Sequence, residues 1–275
     1  MTRIALFQST SGIDPAANAR NLVDAIEQAS VGGAEMLFTP EMTGLLDRNS
    51  GRAAKVIREA DDDQVLGAAR EAAARHKIWV HVGSLAVLSD NGKVANRSFV
   101  IDREGVIRGT YDKIHLFDVD LPTGESWRES NTYSPGAGAT LVNGTPVRKL
   151  GLTICYDLRF PGLFARLAES DADVIAVPAA FTVPTGKAHW HILLRARAIE
   201  AGLFVVAAAQ VGHHEDGRTT FGHSLVIDPW GEVLLDMGEE KGIGFADIDL
   251  KRISDVRSRI PALNHRRPIP DAVTL

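Results

Sequence analysis

Short apolar runs alternate with longer amphipathic stretches along the chain. Residues 3–7 read as a strand. Asp14-Pro15 opens a helix, because Asp14 can accept from free N–H groups and Pro15 suits the first turn. Leu22, Val23, Ile26 and Ala29 then recur at helical spacing until Gly32-Gly33. Met36-Leu37-Phe38 is a strand that closes on Thr39-Pro40-Glu41. Residues 61–63 cap a second helix, with Val65, Leu66, Ala69, Ala72 and Ala73 on its inner face. A strand over 78–88 follows. Asp90-Asn91-Gly92 is a turn signal, and 98–102 with 106–108 predict a hairpin around Glu104-Gly105. Residues 111–120 are polar and aromatic. The segment 121–138, rich in Pro, Gly, Ser and Thr, reads as a loop long enough to suggest a functional role.

The second half repeats the alternation. Residues 151–154 form a buried strand that runs into Cys155, and Pro161 opens a helix over 163–170. Residues 174–177 are a strand, 188–201 a helix with Ile192, Leu193, Ala196 and Ile199 on one face, and 203–209 a fully apolar strand. Strands at 224–227 and 233–235 flank Asp228-Pro229-Trp230-Gly231. A last strand (243–248), a last helix (250–259) and an extended Pro-rich tail complete the chain. Alternating helices and strands, with some strands joined by tight turns, predict an α/β fold with mixed sheets covered by helices, as one domain over 1–275.

Composition narrows the class. Hydrophobic residues make up 45% of 275, enough for a sizeable core. Net charge is −5 with no dense basic patch, which argues against nucleic acid as a partner. No stretch approaches the roughly 18 apolar residues of a membrane span, and the apolar run at 4–7 is too short for a signal peptide. The single cysteine excludes an internal disulfide and fits a reducing compartment. A soluble cytoplasmic protein is the expectation.

Three side chains share a local setting: Glu41, Lys113 and Cys155 each follow an apolar strand. Ligands gather at the carboxyl ends of strands in α/β sheets. If those strands are neighbours, Glu41 can take the thiol proton, Cys155 can attack a carbonyl and Lys113 can stabilise the oxyanion. A strand-to-helix turn also puts Cys155 near a positive helix end, which favours the thiolate. Each residue has a plainer reading: a solvated turn for Glu41, a surface charge for Lys113, a small buried hydrophobe for Cys155.

The histidines are less suggestive. His189 and His191 lie two apart on a helix and face different sides, so they cannot chelate one metal. His213-His214 with His223 could supply ligands, but there is no H-E-x-x-H and no cysteine pair, so no metal is expected. Thr185-Gly186-Lys187 fails as a phosphate loop, because Phe181 and Ala188 stand where Gly and Ser or Thr belong. No G-x-S-x-G accompanies Ser9-Thr10-Ser11 or Gly83-Ser84. Trp190 and Trp230 suit a pocket lining or a core equally well.

Taken together, TPEMTG at 39–44, YDKIHLFDVD at 111–120, RESNTYSPG at 128–136, GLTICYDLRFPGLFARLA at 151–168, PAAFTVPTGKAHWHILLRARAIE at 178–200 and FGHSLVIDPWGEV at 221–233 resemble the nitrilase (carbon–nitrogen hydrolase) superfamily over nearly the whole chain. LLRARAIE, VVAAAQVG, GHSLVIDPWG and HRRP are most similar to its Nit branch. The resemblance implies a four-layer α-β-β-α sandwich that dimerises through helices near the site. It implies Glu41 as general base, Lys113 as oxyanion stabiliser, Cys155 as nucleophile and Glu129 as a second glutamate holding Lys113, with Glu125 as the alternative for that role. The Tyr156 N–H would complete the oxyanion hole, Asp157 and Arg159 would support the nucleophile from behind, and Phe181 and Thr182 would border the pocket. Gly162 departs from the pattern, where Glu is usual. The implied reaction is hydrolysis of a small carboxylate-bearing amide through a thioester, without metal or organic cofactor. The implied substrate is the 2-oxo acid form of glutathione; 2-oxoglutaramate or a carbamoyl amide is the alternative, and a catalytically silent dimeric scaffold is the rival of another class.

Overall fold

The computed structural model describes residues 1–89, 92–120, 124 and 126–274. The Asp90-Asn91 part of the expected turn and the alternative glutamate, Glu125, lie outside the described residues.

The first half of the chain contains β1 (Thr2–Gln8), α1 (Pro15–Val31), β2 (Met36–Phe38), α2 (Ser50–Ala53), α3 (Gln64–His76), β3 (Trp79–Leu88), β4 (Val94–Ile101) and β5 (Ile107–Asp112). The short strands β6 (Asp118–Asp120) and β7 (Ser126–Arg128) follow, then β8 (Thr140–Thr145) and β9 (Arg148–Leu152). After them come α4 (Pro161–Glu169), β10 (Val174–Ala176), α5 (Val183–Ala201), β11 (Phe204–Ala207), β12 (Val211–His213) and β13 (Thr219–Phe221). The chain closes with β14 (Leu225–Ile227), β15 (Val233–Asp236), β16 (Gly242–Ile248) and α6 (Lys251–Arg259).

Two six-stranded mixed sheets result, in the orders β16-β1-β2-β3-β4-β5 and β15-β14-β11-β10-β9-β8. Strand alternation assigns the layers. Ile4, Leu6, Met36 and Phe38 share a core with Leu150, Leu152, Val174 and Ala176 of the other sheet. The intervening Ala5 and Leu37 pack with Leu22 and Ile26 of α1 and Ala69 and Ala73 of α3. Phe164 and Leu167 of α4, with Trp190 and Leu194 of α5, cover the second sheet. The layers are therefore helix, sheet, sheet, helix, as the resemblance implies.

Capping explains two helix starts. Asp14 accepts from the Ala16 N–H at 2.9 Å, and Asp63 accepts from Val65 and Leu66 at 2.9 and 2.8 Å. Other expectations need correction. The 121–138 segment carries part of the β6–β7 hairpin and a turn of 3₁₀ helix over Glu129–Asn131. Helix α5 begins at Val183 rather than 188, because Pro184 is tolerated in a first turn. Its buried face is Trp190, Leu194, Arg197, Ala198 and Ala201, whereas Ile192 and Ile199 are 70% and 52% exposed. Strands β8, β12 and β13 are additions to the sequence reading. Among the described residues, no helix is long and apolar enough to cross a membrane.

The two sheets meet closely where the site lies. A Cβ on Gly83 of β3 would come within 2.1 Å of the Thr39 carbonyl oxygen and 2.5 Å of Pro178 beyond the other sheet, so only glycine fits there.

Candidate active site

Glu41 follows β2, Lys113 follows β5 and Cys155 lies three residues past β9, so all three stand at carboxyl ends of strands. The structure brings them to one cavity of about 270 Å³, together with Glu129, Tyr156, Phe181 and Thr182.

Lys113 is the hub. Its Nζ donates to Glu41 Oε1 at 3.0 Å and to Glu129 Oε1 and Oε2 at 3.1 and 2.9 Å. Its backbone is pinned on both sides, N–H to the Asn96 carbonyl at 3.0 Å and C=O from the Gly136 N–H at 2.9 Å. Burial alone would lower the Lys113 pKa, but Glu129 and Glu41 outweigh it and hold the ammonium well above its ordinary range.

Glu41 is buried and held through both oxygens. Oε1 also accepts from Asn96 Nδ2 at 3.0 Å, and Oε2 accepts from the Ala180 N–H at 3.0 Å. Burial opposes its charge, but the field of Lys113 and hydrogen bonds from Cys155, Lys113 and Asn96 keep its pKa below the usual value. The Met42 N–H donates to Ser84 Oγ at 2.9 Å, so the loop behind Glu41 is tied to the irregular stretch of β3.

Cys155 differs from the helix-end expectation. It begins a short 3₁₀ turn, Cys155–Arg159, and α4 starts only at Pro161. Burial pushes its thiol pKa well up and Glu41 adds to this, with Lys113 offsetting only part. At rest the site therefore holds a carboxylate, an ammonium and a neutral thiol.

The backbone at Cys155 has φ +48, in the left-handed region. A side-chain-bearing residue there costs about 1–3 kcal/mol and persists only when its surroundings fix it. Here the Cys155 N–H donates to the Pro178 carbonyl at 2.8 Å. Asp157, fully buried, accepts from the Ile154 N–H at 2.9 Å, Tyr111 Oη at 2.7 Å and the His115 N–H at 3.1 Å. Asp157 thus supports the nucleophile turn from behind. Arg159 separates from it and joins the cavity wall, its guanidinium 5.7 Å from the Phe181 ring centroid and 3.3 Å from His189 Nδ1. At Gly162 a Cβ would meet open space, so the departure there disturbs no packing.

Sequence reasoning missed Asn96, which donates to Glu41 and also to Glu129 Oε1 at 3.3 Å. It also missed the far wall, where the Trp127 ring lies 5.0 Å from the guanidiniums of both Arg48 and Arg218. A single Asn within a strand, or one Trp in a polar loop, carries no spacing signal. The histidines weighed as metal ligands do not meet. His213 pairs with Thr219, His214 with Ser11 and Thr220, and His223 with Asp236.

The sequence pattern of the carbon–nitrogen hydrolase family matches residues 3–258. A deaminated glutathione amidase of Yersinia enterocolitica is 38% identical over 273 residues, covering 98% of this chain and 94% of that protein. The crystal structure of the NitFhit protein of C. elegans superposes with a TM-score of 0.89 at 38% identity over 97% of this chain, which spans 65% of that longer protein. An amidase of Nesterenkonia, a mutant with the acetamide moiety of fluoroacetamide added covalently at its active-site cysteine, superposes with a TM-score of 0.81 at 27% identity, covering 97% of this chain and 94% of that one.

Proposed function

Because the chain belongs to the carbon–nitrogen hydrolase family and is a hydrolytic amidase, we propose that it cleaves a small carboxylate-bearing amide through a thioester on Cys155, with deaminated glutathione as the substrate. The observation that carries this reading is the Lys113 ammonium, held between Glu41 and Glu129 beside a buried thiol.

The resting protonation states set the order of events. Glu41 is ionised and Cys155 is a thiol, so the proton moves to Glu41 as sulfur attacks the amide carbonyl. The developing oxyanion is stabilised by Lys113 and the Tyr156 N–H. Glu41 returns the proton to the departing amine, leaving a thioester. Glu41 then deprotonates water, which attacks the thioester, and the acid leaves as the thiol regains its proton. With deaminated glutathione the products are cysteinylglycine and 2-oxoglutarate. Arg159 on the cavity wall supplies positive charge suited to an anionic substrate, whereas Arg218 on the same wall is paired with the buried carboxylate of Asp216 at 2.6 Å. No cofactor takes part in these steps.

Turnover of deaminated glutathione and of 2-oxoglutaramate tests the substrate. A kcat/KM at least about tenfold higher for deaminated glutathione is expected, roughly 1.4 kcal/mol of transition-state preference. The opposite ratio would assign ω-amidase action instead. Cys155→Ala should abolish the burst of cysteinylglycine; a burst that persists in the variant would reject the thioester, and no burst in the parent protein would favour a scaffold role. We also infer a homodimer in the cytoplasm, supported by the exposed apolar side chains Ile192 and Ile199 on α5 and by Trp230. A monomer mass in light scattering would reject the dimer.

A further inference from the structure

Away from the cavity, His191, His223 and Asp236 bring three ligand atoms within 4.8 Å of one another. They come from α5, from the link between β13 and β14, and from the last residue of β15. His191 Nε2 lies 3.0 Å from Asp236 Oδ2, and His223 Nδ1 lies 2.9 Å from Asp236 Oδ1 and 3.2 Å from Oδ2. We propose that these three residues form a binding site for a divalent first-row transition metal of the zinc class, which clasps α5 to the β14–β15 hairpin.

The donor chemistry selects the ion. Two imidazoles and one carboxylate suit zinc, nickel or copper, whereas calcium and magnesium ask for oxygen ligands alone. The two histidine–aspartate separations of 3.0 and 2.9 Å match edges of a coordination shell with bonds of about 2.0–2.2 Å, and an ion would draw the two imidazoles together from within 4.8 Å. All three side chains are part-exposed, so an ion can enter from solvent and keep a water in a further position.

The site is also built in advance. His223 has φ +54, an uncommon conformation for a residue with a Cβ. It is fixed there by the Trp190 indole N–H, which donates to its carbonyl at 2.7 Å, and by its own N–H to the Gly238 carbonyl at 2.7 Å. Phe221 stacks on the His223 ring at 4.4 Å and 25°, which sets the ring plane. The Gly238 N–H holds Asp236 Oδ1 at 2.9 Å. Trp190 in turn packs 4.8 Å from Phe181 of the cavity wall, so the clasp and the cavity share a side chain between them. This site is independent of the substrate assigned above.

The test uses the full chain carrying Cys155→Ala, which keeps the probe ions off the cavity thiol. Metal-free protein is titrated with Zn²⁺ by calorimetry and with Co²⁺ by visible absorption. One equivalent should bind, with d–d bands of a nitrogen and oxygen site and a rise in Tm. Affinity should fall by at least about tenfold in Asp236→Asn and in His191→Gln, the low end of what even an outer-sphere change costs a metal site. Both side chains are part-exposed, and far-UV circular dichroism checks that the variants fold. Absence of stoichiometric binding, or binding unchanged in both variants, would overturn the site and leave a metal-free His–Asp–His hydrogen-bond cluster.

Discussion

The side-chain amide nitrogen of Asn96 lies 3.0 Å from Oε1 of Glu41. The same nitrogen lies 3.3 Å from Glu129 Oε1, so one amide orients both carboxylates that flank Lys113. Hydrogen bonds to charged groups contribute about 1.5–3 kcal/mol each. Asn96→Ala should therefore lower kcat by about 10- to 100-fold, with a smaller change in KM. Because Asn96 helps hold the Glu41 pKa down, the acid limb of the pH–rate profile should also move to higher pH. An unmoved acid limb would reduce Asn96 to packing.

Cys155 should react slowly with iodoacetamide at neutral pH and faster as pH rises, because burial and the Glu41 charge raise its pKa. Glu41→Gln removes that charge. The variant should alkylate at lower pH than the parent while losing turnover. A parent thiol that titrates below the ordinary cysteine range would contradict the proposed resting state.

Asp157→Ala should destabilise the protein by roughly 2–4 kcal/mol, since it strands several buried donors that now meet one carboxylate. Release of the strained turn at Cys155 should accompany the loss. Urea unfolding gives the first effect and residual amidase activity the second. A variant of parental stability and activity would show that the turn is held elsewhere.

His81 links stability to pH. It is buried against Ser98 Oγ at 2.8 Å, and burial pushes its pKa from 6.5 to about 3. The unfolded chain takes up a proton below pH 6.5, while the folded chain does not. The stability contribution is therefore complete above that pH and is lost as pH falls towards 3. The loss is on the order of 5 kcal/mol. In His81→Phe the unfolding free energy should vary less steeply with pH over this window, and an equal slope would show another group to be responsible.

Much of the fold was legible because local and long-range preferences agree. Asp14 and Asp63 signal helix starts and cap them in the structure. Helix α5 misled because an arginine occupies its buried stripe. Arg197 donates to the Leu158 carbonyl at 3.1 and 2.8 Å and lies 5.2 Å from the Phe164 ring, so a charge sits where periodicity asks for an apolar residue. By periodicity alone, Ile192 and Ile199 then mark the inner face, although they are exposed. The β6–β7 hairpin was hidden by polar composition. In the site, Glu41, Lys113 and Cys155 were visible as polar residues after apolar strands, but their convergence depends on pairing between distant segments. The thiol's electrostatics depended on burial, which the sequence around Cys155 did not reveal. The His191–His223–Asp236 cluster spans three elements, and no sequence spacing predicts it.

The Ala180 N–H that holds Glu41 joins two halves of the polypeptide. Glu41 and Lys113 belong to the first sheet, whereas Cys155 and Ala180 follow strands of the second. Neither sheet alone carries a working site, and turnover reports that the two have docked in register. Cutting the chain in the connection ahead of β8 would put the base and the nucleophile on separate fragments. Activity would then return only on reassociation, making the enzyme its own split reporter.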